Sequence, residues 1–197
     1  MVRTLLRSHA APHVSRAFTL IELLAVAGIF MVLSTVVLSA NTQFGNRVIL
    51  QNLAHEMALT VREAQVYGIA VRRFSGSNFD VGYGMYFAPS ADESQAVYQL
   101  FGDVIANGIY DPGETVRTMT LASGYRIVDV CARNASSSIE TCGLPEVHII
   151  FYRPEPDAIV RRAAGPVSDD RARVIIESPR GTRAEVLIEA SGQISVQ

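Results

Sequence analysis

Glu22 places a carboxylate where few chains tolerate one. The run 18–40 is otherwise uncharged and matches the about 20 apolar residues a helix needs to cross a bilayer. An acidic side chain near the centre of such a span costs about 2.5–3.5 kcal/mol by insertion scales, and less near an end. The chemistry open to Glu22 is ion pairing: an ammonium group brought against it removes the penalty of two isolated charges in low dielectric. Two plainer roles compete. Thr19-x-x-Glu22 fits a capping box that closes the start of a helix, and a conventional signal peptide could end at Leu38-Ser39-Ala40.

Arg16-Ala17-Phe18-Thr19-Leu20-Ile21-Glu22-Leu23-Leu24 resembles the N-terminal signal of type IV pilins and type II secretion pseudopilins. The resemblance implies that a prepilin peptidase cuts between Ala17 and Phe18 on the cytoplasmic side and N-methylates Phe18. Thr19, Leu20, Ile21 and Glu22 complete the processing and assembly motif. The family usually has Gly where this chain has Ala17. Helices of such subunits pack side by side in a filament, with the acidic residue near the N-terminal amine of a neighbour. The implied partners are the peptidase, other pilins or pseudopilins, and the inner membrane, crossed once.

Charge agrees with export. All 17 basic residues are Arg, and the leader 1–17 holds Arg3, Arg7 and Arg16 with no acid. A positive segment before an apolar run stays cytoplasmic, which places the rest of the chain outside the inner membrane. Without the leader, fourteen arginines face 19 acids, a net charge of −5. An acidic exterior of this kind excludes a general nucleic-acid binder.

A second cluster of oxygen donors lies at 103–114. Asp103, Asn107, the Ile109 carbonyl, Asp111 and Glu114 fall at positions one, five, seven, nine and twelve of a loop that resembles an EF-hand-type calcium loop, with Gly108 at six. Ile105 removes the third ligand. The alternative is a pair of Asn-Gly and Pro-Gly turns without metal. Calcium is the only cofactor these residues suggest, and no reading of the chain requires one.

Cys131 and Cys142 are the only cysteines, and in an oxidising compartment they are expected to form a disulfide. Arg161, Arg162, Arg171, Arg173, Arg180 and Arg183 outnumber the nearby Asp169, Asp170 and Glu177. Some minor pilins bind DNA through basic C-terminal residues, which makes Arg180 and Arg183 candidate phosphate contacts. The segment 184–197 has two acids and no base, however, and solvated loop charge explains the excess as well. His55 and His148 read as surface or packing residues. No nucleophile elbow, Walker loop, HExxH or CxxC is present, so the expectation is a protein without enzymatic activity.

These residues need elements to position them. Leu53, Met57, Val61, Ala64, Gly68 and Val71 recur at steps of three and four, which predicts that the helix begun at Phe18 continues to about Val71. Such a helix would be roughly 80 Å long. Beyond Ser75-Gly76-Ser77-Asn78 come β-prone runs at 82–87, 96–101, 115–121, 125–131, 147–152, 173–177, 184–189 and 193–196. The stretch 153–170, with Pro154, Pro156 and Pro166, reads as a long exposed loop. The predicted fold class is α+β and pilin-like, a long helix packed on an antiparallel β-sheet head. The expected divisions are a leader 1–17, a membrane or filament-core helix 18–40, an amphipathic helical half 41–74 and a β-rich head 75–197. This layout, with Ala54-x-x-Met57-Ala58-Leu59-x-x-Arg62-Glu63-Ala64-Gln65 and the ending Ala190-Ser191-Gly192-Gln193-Ile194, resembles the GspH/FimT family of minor pseudopilins and minor pilins. The expected function is assembly into a type II secretion pseudopilus or a type IV pilus. A minor pilin that captures DNA is the alternative, and a membrane-anchored enzyme a distant third.

Overall fold

A computed structural model describes residues 18–70, 74, 81–90, 96–136, 139–162 and 168–197, the side chains of 39–44 excepted. The chain divides into two compact units, one ending at Gln43 and one running from Phe44 to Gln197. Helix α1 spans Leu20–Ile69 and contributes to both. Thr19 starts it, its carbonyl accepting the Leu23 N–H at 3.2 Å. The expected helix thus begins two residues later and stops short of Val71, which lies outside the described residues together with Ala17 and the rest of the leader.

In the second unit α1 buries Leu50, Ala54, Met57, Val61 and Ala64, the predicted stripe shifted slightly toward its N-terminal side. Gly68 closes the stripe. A Cβ there would stand 2.5 Å from the carbonyl oxygen of Phe151, so only glycine lets the helix lie this close to the sheet. Gln65, 8 % exposed, donates from Nε2 to the carbonyls of Pro156 (2.8 Å) and Gly192 (3.2 Å). A buried amide without such partners would cost about 1–3 kcal/mol.

The strands are β1 Gly82–Phe87, β2 Val97–Asp103, β3 Thr115–Thr120, β4 Arg126–Asn134, β5 Glu140–Thr141, β6 Val147–Phe151, β7 Ala158–Arg162, β8 Asp169–Glu177, β9 Arg183–Glu189 and β10 Ile194–Val196. All pairings are antiparallel. One leaf runs β7-β6-β1-β2-β3 and the other β5-β4-β8-β9-β10; they join at the single pair Val160↔Asp169. Apolar residues of both leaves, among them Met85, Leu100, Ile149, Val174 and Val186, share one core with α1. The fold is α+β, as the order of patterns predicts.

Two strands lie where none was expected. β7 occupies the stretch read as a loop: despite its flanking prolines, Ala158 and Val160 alternate inward and extend the ladder beside β6. β5 is two residues long and pairs only with β4, too short for any alternation to register.

Candidate functional site

The apolar part of α1 presents its side chains outward. The window Leu20–Leu38 is long and apolar enough to cross a membrane, and none of it is buried. Fourteen large apolar side chains from Phe18 to Leu38 are exposed. Each forgoes about 1.5–3 kcal/mol of burial while it faces water. A surface of this kind needs lipid or protein to cover it. At its head, Thr19 Oγ1 accepts the Glu22 N–H at 3.3 Å. That is half of a capping box; no return bond from the Glu22 carboxylate to the Thr19 N–H exists among the described residues. Thr19 therefore caps the helix, and the carboxylate of Glu22 stays exposed beside Phe18, Leu20 and Ile21.

The 103–114 loop uses its carboxylates on itself. Asp103, 1 % exposed, accepts the Asn107 N–H (3.1 Å) on Oδ1, and the Gly108 N–H (2.8 Å) and the Tyr152 hydroxyl on Oδ2. Glu114, 4 % exposed, accepts Val104 N–H (2.8 Å) and Ile105 N–H (3.0 Å) on Oε1 and Asp111 N–H (3.1 Å) on Oε2. The Asn107 amide donates to Asp111 Oδ2 at 2.6 Å, and its Oδ1 accepts the Ile109 N–H at 3.0 Å. Hydrogen bonds to ionised acceptors are the strong ones, and six of them offset the burial of two charges.

This arrangement does not fit the calcium loop that the spacing suggests. A calcium cage turns its oxygens onto one point, whereas here they accept from donors of the loop itself and from the Tyr152 hydroxyl. Among the described residues, Asp129, Cys131 and Cys142 are the group whose ligand atoms gather within 4.8 Å, and those sulfurs are bonded to each other.

So fastened, the loop lies over the face of the β1–β2–β6–β7 leaf that points away from the core. Paired residues of a ladder share a face, which puts Tyr86, His148 and Arg161 in one row there. Tyr110 packs its ring 5.1 Å from Tyr86 and 5.6 Å from Phe101. Its N–H donates to His148 Nδ1 at 3.0 Å, while Nε2 faces Glu146 Oε1 at 3.3 Å. His148 is therefore neutral, with its proton on Nε2. Burial holds its pKa below the ordinary value against the opposing pull of Glu146. Burial, aided by Glu146, also pushes the Tyr86 hydroxyl up to about 12. Gly108, at φ 76°, lies against Arg161, whose Nε would be 2.6 Å from a Cβ. His148, expected as a surface or packing residue, is buried under the loop; the Tyr86–His148 alternation with core residues was the one signal of a second covered face.

Cys131 and Cys142 form the expected disulfide, joining buried β4 to the exposed end of β5. Arg173 lies above it, bonded to Glu140 and, at 3.1 Å, to Glu185, with Nη2 3.7 Å from Cys142 Sγ. The basic excess of the C-terminal third is largely paired: Arg162 with Asp169, Arg171 with Glu189, and Arg183 with Glu177 at 2.7 Å. Arg180 and Arg183 both lie at the exposed β8–β9 connection, and Arg183 already has a carboxylate. A comparison of the chain with protein-family models finds no match, nor does one with curated proteins or with solved structures.

Proposed function

We propose that this protein is a minor pseudopilin or minor pilin: a subunit cut by a prepilin peptidase after Ala17, methylated at Phe18, and assembled through its N-terminal helix into a secretion pseudopilus or type IV pilus. The observation that carries the reading is the wholly unburied apolar window Leu20–Leu38 with Glu22 as its one charge. In the membrane, lipid covers that surface, and Glu22 stays near the cytoplasmic interface. In a filament, neighbouring helices replace the lipid and the amine of an adjacent Phe18 meets the carboxylate. The Arg-bearing leader supports a cytoplasmic start, which puts the β-rich head outside the inner membrane. The reading gives the head an assembly role and no catalytic one. DNA capture gains no support from Arg183, which Glu177 engages.

Replacement of Glu22 by Ala tests the pairing. The variant inserts and is processed like the wild type but is lost from sheared or cross-linked filaments. Incorporation at the wild-type level would overturn the role assigned to Glu22.

A further inference from the structure

The 103–114 loop acts as a strap, fastened at its ends, tied by a hydrogen bond between the Tyr110 hydroxyl and Thr115 Oγ1 (2.8 Å), and pinned at the backbone of its middle. Asp103 and Glu114 hold the ends through five backbone N–H groups and the Tyr152 hydroxyl. The middle pin is the bond from Tyr110 N–H to His148 Nδ1. It has a chemical condition that the end bonds lack, because Nδ1 accepts a hydrogen only while it carries none.

The surroundings of the imidazole set the consequence of protonation. His148 is 1 % exposed and lies among the rings of Tyr86, Phe101 and Tyr110. On one side Glu146, ahead of β6, and Asp111 in the strap favour the imidazolium. On the other, Arg161 of β7 shares the register row, and its Nε is buried with no hydrogen-bond partner. Tyr86 on β1, its hydroxyl pushed up to about 12, adds no charge where the imidazole titrates. A second proton on the ring must sit on Nδ1, where it faces the Tyr110 N–H. Two donors then oppose each other in a site closed to water, and neither has an acceptor there. Moving Tyr110 away is the local way to relieve this.

We propose that the strap is a pH-responsive lid: a proton on His148 Nδ1 expels the Tyr110 N–H, releases the Tyr110 ring from between Tyr86 and Phe101, and uncovers the aromatic outer face of β1, β2 and β6. The fastened ends keep the remainder of the strap in place, so the change is confined to its middle. The inference is independent of the filament reading, since it uses only the head.

Backbone amide exchange of the full chain in detergent micelles, followed by NMR and corrected for the intrinsic rate at each pH, tests it. The His148 ring signals give the titration midpoint in the same sample. As the pH falls toward that midpoint the protection of Tyr110 falls, by up to tenfold per pH unit as uptake of one proton on opening requires, while that of Val104 on Glu114 holds. Loss of both together, or a Tyr110 amide indifferent to the titration, would overturn the proposal. In His148→Asn the Oδ1 takes the place of Nδ1 without titrating, and Tyr110 protection becomes independent of pH. Should that variant not fold, Glu146→Gln serves, because it removes the carboxylate that favours the imidazolium. The midpoint and the opening then move to lower pH together, and movement of one alone would overturn the proposal. The wild-type curve is the same in chelator and in calcium; a shift with calcium would make the strap metal-controlled and overturn it as well.

Discussion

Gly68 of α1 lies against Phe151 of β6 so closely that a Cβ at position 68 would stand 2.5 Å from the Phe151 carbonyl oxygen and 2.7 Å from its Cβ. That contact brings the helix and the central strand together, and the surrounding core depends on it. The neighbouring atoms are the Phe151 carbonyl and Cβ, which cannot swing aside as the far end of a flexible side chain would.

Gly68→Ala sets two effects against each other. Alanine favours a helix interior over glycine by about 1 kcal/mol, while overpacking a core typically costs about 1–3 kcal/mol. With those atoms as the obstacle, overpacking wins. A net loss of up to about 2 kcal/mol is expected in the denaturation of the detergent-solubilised chain, with a larger loss for Gly68→Val. A stabilised Gly68→Ala would show that helix and sheet are not in this contact.

Glu114→Ala leaves the N–H groups of Val104, Ile105 and Asp111 without their acceptor. Hydrogen bonds to a charged group are worth about 1.5–3 kcal/mol each, and such losses are not fully additive. A destabilisation of about 3 kcal/mol or more is expected, with Glu114→Gln milder because it keeps one oxygen. Calcium at millimolar concentration leaves the thermal midpoint of the wild type unchanged. Calorimetric titration and thermal unfolding check both statements, and stabilisation by calcium that Glu114→Ala abolishes would restore the cage.

Replacing both Cys131 and Cys142 by Ser removes a short cross-link. The chain-entropy relation gives about 3 kcal/mol for a loop near this length. The loss concentrates in β5, whose pairing is to β4 alone. Proteolysis within the short connection between β4 and β5 speeds up in the double variant. Unchanged cleavage would mean that Arg173, through Glu140, holds β5 without the sulfurs.

Acid weakens the head in two stages. Because burial holds His148 below its ordinary value, the unfolded chain takes up a proton first. Stability is intact above the ordinary histidine value of about 6.5 and declines as the pH falls below it. Glu177, kept below the usual carboxylate range by Arg126 and Arg183, and Asp170, kept low by Arg133, add losses at more acidic pH. Urea midpoints at a series of pH values show both stages, and His148→Asn removes the first. A midpoint that rises between pH about 7 and 5 would reverse the sign argued here.

Much of the framework was legible before any coordinates. Steps of three and four located the buried face of α1 from Met57 to Gly68, and β-prone runs bounded by turn residues located β1, β6 and β9 almost to the residue. β7 was not legible, because Pro154, Pro156 and the pair Arg161-Arg162 mask an inward alternation of only two residues, Ala158 and Val160. The oxygen spacing of 103–114 was visible, but whether a carboxylate meets an ion or a backbone N–H depends on how the chain turns at Ala106 and Gly108, both at positive φ. His148 was illegible for a related reason. A histidine on a strand looks the same in sequence whether its ring meets water or a distant amide, and its partner lies 38 residues away.

Intact mass and N-terminal analysis of the membrane-extracted chain, made in cells with and without a prepilin peptidase, reaches the central proposal most directly. The processed-subunit reading requires a chain that starts at Phe18 and carries one added methyl group only where the peptidase is present. A chain that keeps the leader 1–17 in both cells, or one cut after Ala40, would contradict it.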